Sequence, residues 1–240
     1  PAEATVRDRA PSTRPVDLAL PRPRPERRVL EGRFARLEPL DPDRHGPSLA
    51  ALGRDGEAAR RSWDYLSYGP FASDAVHIAE LRRQAASEDP LFFAVVETAN
   101  DCAVGVATLM SIVPEEGRIE IGHLWFSPVL QRTPAATEAL VLLLRYAMDD
   151  LGYRRMEWKC NAANAPSRRA ALRLGYRFEG IFYNHMVVKG QNRDTAWYSI
   201  LDEEWPRLGT AYNAWLAPEN FGPDGEQRSR LSDLTAPPVG

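Results

Sequence analysis

The chain has 240 residues, with 30 Lys+Arg against 33 Asp+Glu and a formal net charge of −3. With 44% hydrophobic and 26% charged residues, it has the make-up of an ordinary globular protein that can bury a full core. The balanced charge removes the electrostatic reason to expect nucleic-acid or membrane-surface partners, and no apolar run approaches the roughly 20 residues of a membrane-spanning helix.

Residues 1–30 hold Pro11, Pro15, Pro21, Pro23 and Pro25, which predicts an extended arm without a core of its own. The arm lacks the apolar stretch of a secretory signal, so a cytoplasmic address is expected. Residues 33–40 alternate as a half-buried strand. Residues 41–71 mix short helical stretches with turns and carry Trp63, Tyr65, Tyr68 and Phe71. Ser73 is placed to cap a helix reaching Ser87. Residues 91–97, 103–113 and 118–126 read as three strands with short connections, an antiparallel meander.

From Ala135 to Leu151, residues Leu140, Leu143, Leu144, Ala147, Met148 and Leu151 share one helical face, and Gly152 is a stop signal. A strand over 154–160, a helix over 164–174 ended by Gly175, and strands over 176–188 and 194–201 follow. Trp205, Leu208, Tyr212 and Trp215 line one side of a last helix. That side is expected to pack on the chain's own core, with a homodimer contact as the alternative reading. Residues 218–240 are polar, with Gly and Pro, and read as an irregular tail. The organisation expected is an arm (1–30), a folded domain (31–217) and a tail. A strand–helix–strand unit between two antiparallel groups argues for an α/β (α+β) fold on a mixed, mostly antiparallel sheet.

Cys102 and Cys160 are far apart, and His45, His77, His123 and His185 are scattered, so no metal site is expected. Both cysteines lie in apolar segments and read as buried, inert thiols. Only Lys159 and Lys189 are lysines, an arginine bias that fits a GC-rich bacterial genome.

Four segments carry a resemblance to a known family: I-E-I-G-H from Ile119, T-E-A-L from Thr137, N-A-P-S-R-R-A-A-L-R-L-G-Y from Asn164, and F-E-G from Phe178 with K-G-Q-N-R-D-T-A-W-Y-S-I from Lys189. In this order and spacing the chain resembles the GNAT superfamily of acyl-CoA-dependent N-acyltransferases, and within it the RimJ/RimL-type branch. The resemblance implies a splayed pair of parallel strands, here 118–126 and 154–160, that admits the pantetheine arm of acetyl-CoA or another acyl-CoA. The backbone of Leu124, Trp125 and Phe126 would then pair with pantetheine amides, and freed N–H groups would hold the oxyanion.

The family's glycine-containing pyrophosphate loop is altered here to Gln131-Arg132-Thr133-Pro134-Ala135-Ala136. Anchored on T-E-A-L, the glycine positions become Arg132 and Pro134; anchored on Gln131, they become Pro134 and Ala136. Pro134 removes one N–H donor either way, although proline is tolerated in a first helical turn with Thr133 as N-cap. Arg132 could supply a charge-assisted phosphate contact instead.

Direct attack by an amine needs a proton acceptor and no covalent nucleophile. Glu120, mid-strand between Ile119 and Ile121, reads either as a base acting through water or as half of a salt bridge to a nearby Arg. Asn164 caps a helix and Ser167 bonds its first turn, while the resemblance implies that Ser167 donates a proton to the departing thiolate; both roles can coexist, since the cap, Asn164 with Ser167, also lies at the mouth where pantetheine runs. Alternation puts Tyr183 and His185 on one face; Tyr183 could protonate the thiolate or simply pack. His123 reads as a core or edge histidine, unless a bulge re-aims it, and Asp194 as structural. The acceptor is a small-molecule amine or a protein N-terminus, and the aromatic 41–87 region is expected to shape its pocket. The rival reading is a CoA- or ligand-binding module with little catalysis.

Overall fold

The apolar run L-F-F-A-V-V forms β2 (Leu91–Glu97), buried on both faces, and the sheet extends to either side of it. The computed structural model describes residues 9, 11–13 and 15–237. One seven-stranded sheet has the order β1-β2-β3-β4-β5-β7-β6. The other strands are β1 (Ala35–Pro39), β3 (Cys102–Val113), β4 (Arg118–Phe126), β5 (Arg155–Asn161), β6 (Arg177–Val188) and β7 (Gln191–Leu201). All neighbours are antiparallel except β4 and β5, which run parallel.

The sheet separates two cores. On one face, α4 (Pro134–Arg145), α5 (Ala165–Arg173) and α6 (Trp205–Leu216) pack on Phe93, Leu109, Ile121, Met156, Trp158 and Tyr198. On the other, α1 (Pro42–Arg54), α2 (Glu57–Arg61) with the turn that follows it, and α3 (Asp74–Ala85) set Leu49, Trp63 and Leu81 against Phe92, Ala94, Val106 and Trp125. The helices start where their caps stand. Asp41, Ser73, Thr133 and Asn164 each accept a first-turn N–H through the side chain. The helix expected to run to Leu151 instead passes into one π-helical turn, Tyr146–Asp150, before Gly152 reverses the chain at φ +66°.

The described parts of the arm and of the tail lie on this body. In the arm, the Arg22 N–H donates to Pro114 O at 2.9 Å, the Tyr153 hydroxyl donates to Pro23 O at 3.0 Å, and Leu30 pairs with Leu37. The arm's residues 1–8, 10 and 14, and the tail's 238–240, lie outside the described residues. The tail, expected to be irregular, carries α7 (Leu231–Thr235) because Leu231 finds a buried site and the Thr235 hydroxyl donates to Arg173 O at 3.0 Å. Of the two thiols expected to be buried, only Cys160 is; Cys102 is exposed where the β2–β3 turn enters β3.

Candidate active site

The parallel ladder runs only from Arg118↔Arg155 to Ile121↔Trp158. Beyond it β4 stays on β3 as far as Phe126↔Gly105, and β5 stays on β7 as far as Asn161↔Thr195. The two strands therefore part company and open a fork whose edges are unpaired backbone, the splay implied by the resemblance. The opening begins at a bulge. Thr108 pairs Gly122 and Val106 pairs Trp125, so β4 has one residue too many, and His123 takes φ +43°. Gly122 and His123 then share a face, and Glu120 and Trp125, five residues apart, end on the same side of the sheet. His123 is thereby stacked on Tyr68 at 5.6 Å, as a core histidine, and burial lowers its pKa.

Glu120 is 4% exposed at the root of the fork. Its partner is not the expected arginine but Lys159 of β5, at 2.7 Å, and the Ser111 hydroxyl donates to the same carboxylate at 2.9 Å. Burial raises the Glu120 pKa against the opposing pull of Lys159. Lys159 also lies 3.5 Å from Glu157 and 4.3 Å from the Trp197 ring centroid. Sequence reasoning missed Lys159. The signal was there: Arg155, Glu157 and Lys159 alternate with Met156, Trp158 and Cys160, which puts a charged row on the face of β5 shared with Glu120.

On the opposite face, the Asn164 side chain accepts the Ser167 N–H at 3.1 Å, and the Trp158 indole N–H donates to the Ser167 hydroxyl at 3.0 Å. The serine oxygen is thus held in place as an acceptor, and its hydroxyl also faces the Cys160 thiol. Tyr183 is not brought to this group. Residues 183–185 form a bulge opposite Asp194, whose carboxylate accepts the Asn184 N–H at 2.7 Å, and Asn184 takes φ +50°. Alternation fails there, so Phe182 and His185 meet the Trp197 ring while Tyr183 is 74% exposed.

At the start of α4, Thr133 is the N-cap and its hydroxyl accepts the Ala136 N–H at 3.1 Å. Pro134 has no N–H, so Ala135 supplies the first-turn amide left for an anion. Arg132 has φ +66°, a left-handed backbone that suits glycine, which favours anchoring the altered loop on T-E-A-L. The Gln131 amide donates to Phe126 O at 2.8 Å and fixes the loop to the fork's edge.

The segment 62–71 roofs the fork on the Glu120 side. It is tied across the opening twice: the Tyr65 hydroxyl donates to Ala163 O at 3.2 Å, and Lys189, at the β6–β7 turn, donates to Trp63 O at 3.0 Å. Trp125 holds the roof from below through its indole N–H to the Ser62 hydroxyl at 2.9 Å. Around this space four buried polar atoms, His123 Nδ1, Tyr68 Oη, Arg193 Nε and Trp197 Nε1, have no hydrogen-bond partner among the described residues. Among the same residues no group of His, Cys, Asp and Glu is arranged to hold a metal ion.

A family model described as an acetyltransferase (GNAT) domain matches residues 35–177. A GCN5-related N-acetyltransferase from Brucella melitensis is 50% identical in a solved structure, covering 92% of this chain and 99% of that one with a TM-score of 0.89. A Chromobacterium violaceum structure, described as a probable acetyltransferase of the GNAT family, is 41% identical over 83% of this chain and 98% of its own, with a TM-score of 0.75. The Bacillus subtilis protein YdaF, provisionally named a ribosomal N-acetyltransferase, is 26% identical over 70% of this chain and 90% of its length.

Proposed function

This chain belongs to the GNAT acetyltransferase family and is an acyl-CoA-dependent N-acyltransferase; we propose that its donor is acetyl-CoA and its acceptor a small primary amine held under the 62–71 roof. The observation that carries the acceptor reading is the double tie across the fork, Tyr65 to Ala163 and Lys189 to Trp63, which fixes the 62–71 segment over it. The name of YdaF favours a second reading, a protein N-terminus threaded end-on beneath the same roof.

The backbone edges of the fork, Leu124 to Phe126 among them, pair with the pantetheine amides. Arg132 and the Ala135 N–H meet the phosphates at the start of α4. The amine nitrogen attacks the thioester carbonyl carbon, and the oxyanion is held by N–H groups that the β4 bulge takes out of the ladder. Glu120 takes the ammonium proton through water. As the C–S bond breaks, the thiolate takes the Ser167 hydroxyl proton, which the Trp158 bond does not use. Acyl-CoA is a cytoplasmic metabolite, which supports a cytoplasmic address. The catalytic domain in this reading is 31–217, with the described parts of arm and tail docked on it.

Release of free thiol from acetyl-CoA, measured over small primary amines and N-terminal peptides, tests this. Small amines should be turned over with the higher kcat/KM; turnover of peptides alone would replace the first acceptor reading by the second. Ser167→Ala should lower kcat about tenfold or more with acetyl-CoA affinity nearly unchanged, because Asn164 still caps α5. An unchanged kcat would remove Ser167 from the chemistry.

A further inference from the structure

Resting on the reading that a primary amine is acetylated at this fork, we propose that the acceptor also carries an anionic group, a carboxylate or a phosphate ester, bound by Arg193 and Trp197. The β5–β7 register runs to Asn161↔Thr195, so Arg193 stands just past the last paired residues, at the open end of the fork. Alternation along β7 puts Arg193, Thr195 and Trp197 on one face. It is the face of Lys159, whose ammonium lies over the Trp197 ring, and of His185, which bonds Thr195.

Two donors on this face point at no acceptor. Arg193 Nε–H and Trp197 Nε1–H are buried without a hydrogen-bond partner among the described residues, and a buried donor left unpaired is costly. The carboxylates nearby are already taken. Glu120 and Glu157 hold Lys159, Glu157 also takes Arg155 at 2.8 Å, and Asp194 accepts from the Asn184 N–H and the Asn192 amide. Arg193 has no carboxylate within 4.0 Å among the described residues, and Lys189 spends its ammonium on a neutral carbonyl. The Arg193 charge is also felt at His123 across the fork, where it helps keep the imidazole neutral.

The roofed space is therefore bipolar. On its β4 side the Glu120 carboxylate, held by Lys159 and Ser111, takes an ammonium's proton through water, and its β7 side offers a guanidinium and an indole N–H to an anion. A molecule bearing both charges, an amino acid or an amino phosphate, would satisfy both sides and present its amine at the root of the fork. The same pair of donors would read an acidic residue just behind a peptide N-terminus, which the experiment separates from the small acceptor.

Calorimetric titration of the CoA-loaded protein with matched pairs tests the proposal independently of turnover. The pairs are glycine and glycinamide, phosphoethanolamine and ethanolamine, and Ser-Asp and Ser-Asn peptides. In the wild type, the anionic member should bind about tenfold tighter in at least one pair. Arg193→Gln should bring that ratio to about twofold or less, and Arg193→Lys should restore part of it, since charge returns without the planar fork. Arg60→Gln, which removes an exposed arginine on α2, should keep the wild-type ratio. Preference confined to the peptide pair would keep the anion site and discard the small acceptor. Equal affinity within every pair, or a wild-type ratio in Arg193→Gln, overturns the proposal.

Discussion

The same face of the sheet is built in two different ways on the two sides of the fork. Over β2, β3 and β4 it is closed by aromatic packing: Trp63 stacks on Trp125 at 4.5 Å, and His77 and Phe71 stack at 4.4 Å against the same pair. The charges on that side gather at its outer edge, where Glu38 takes Arg36, Arg44 and His45. Over β5, β7 and β6 the face carries a continuous row of ions, Lys159, Glu157, Arg155 and Glu179, then Arg9, Glu204 and Arg177. One half is fixed by excluded water and the other by paired charge. Glu120, the base proposed above, sits on the seam, buried and paired with Lys159.

If packing holds the first half, its largest aromatic should be the most costly to lose. Trp63 is 1% exposed, and its indole N–H donates to Gly53 O at 3.0 Å. Gly69 is needed beneath it: at φ +64° it also faces the ring so closely that a Cβ would come within 2.5 Å. Trp63→Ala should cost about 3–5 kcal/mol in urea denaturation. Trp197→Ala, on the ionic half, should cost less than half as much, because that ring is only partly buried. Equal losses would erase the distinction between the halves.

On the seam, Lys159→Met should cost about 3 kcal/mol, since it strands Glu120 and weakens the hold on Glu157. Adding Glu120→Gln should recover most of that loss, as it removes the unpaired charge. No recovery in the double variant would mean that Lys159 acts through its packing on Trp197.

The halves should also part in acid. Burial pushes the His77 pKa down to about 4 from its ordinary 6.5. The unfolded chain therefore binds this proton first. The stability tied to a neutral His77 is complete above about pH 6.5 and is lost as pH falls towards 4, by up to roughly 3 kcal/mol. In His77→Leu, stability followed by urea between pH 7 and 4 should fall less steeply than in the wild type. Parallel curves would show that His77 stays uncharged for no energetic reason.

How far the sequence could be read follows the same division. Strand patterns, alternating or continuously apolar as in L-F-F-A-V-V, located all seven strands, and the caps Ser73, Thr133 and Asn164 stand where their side chains suggested, because both signals are local. The bulges were not legible. An extra residue at Gly122–His123, and the 183–185 excursion, depend on what the neighbouring strand offers, so alternation misassigned Tyr183 and left His123 open. Lys159 was passed over for a related reason: its role comes from Glu120, 39 positions away and joined to it only by the parallel ladder. The tail's short helix has too few residues to announce itself, and is formed by the surface that Arg173 and Arg207 provide.

The smallest effect is expected at the start of α4, where a charge stands in water rather than in either half's interior. Arg132 is exposed and has two separable features, a guanidinium and a left-handed backbone at φ +66°. Arg132→Ala loses the charge and keeps the strain, so it should raise the KM for acetyl-CoA about fivefold at low salt and far less in high salt. Arg132→Gly loses the same charge and relieves the strain. It should show the same salt-dependent KM with a higher Tm than Arg132→Ala, because glycine adopts this conformation without a steric penalty. The half-buried row over β5 and β7 is screened less than Arg132, so its response to salt should be smaller and the same in both variants. If the KM rises equally at both ionic strengths in Arg132→Ala but not in Arg132→Gly, the loop's shape and not its charge governs the donor, and Thr133 with the Ala135 amide must then hold the phosphates alone.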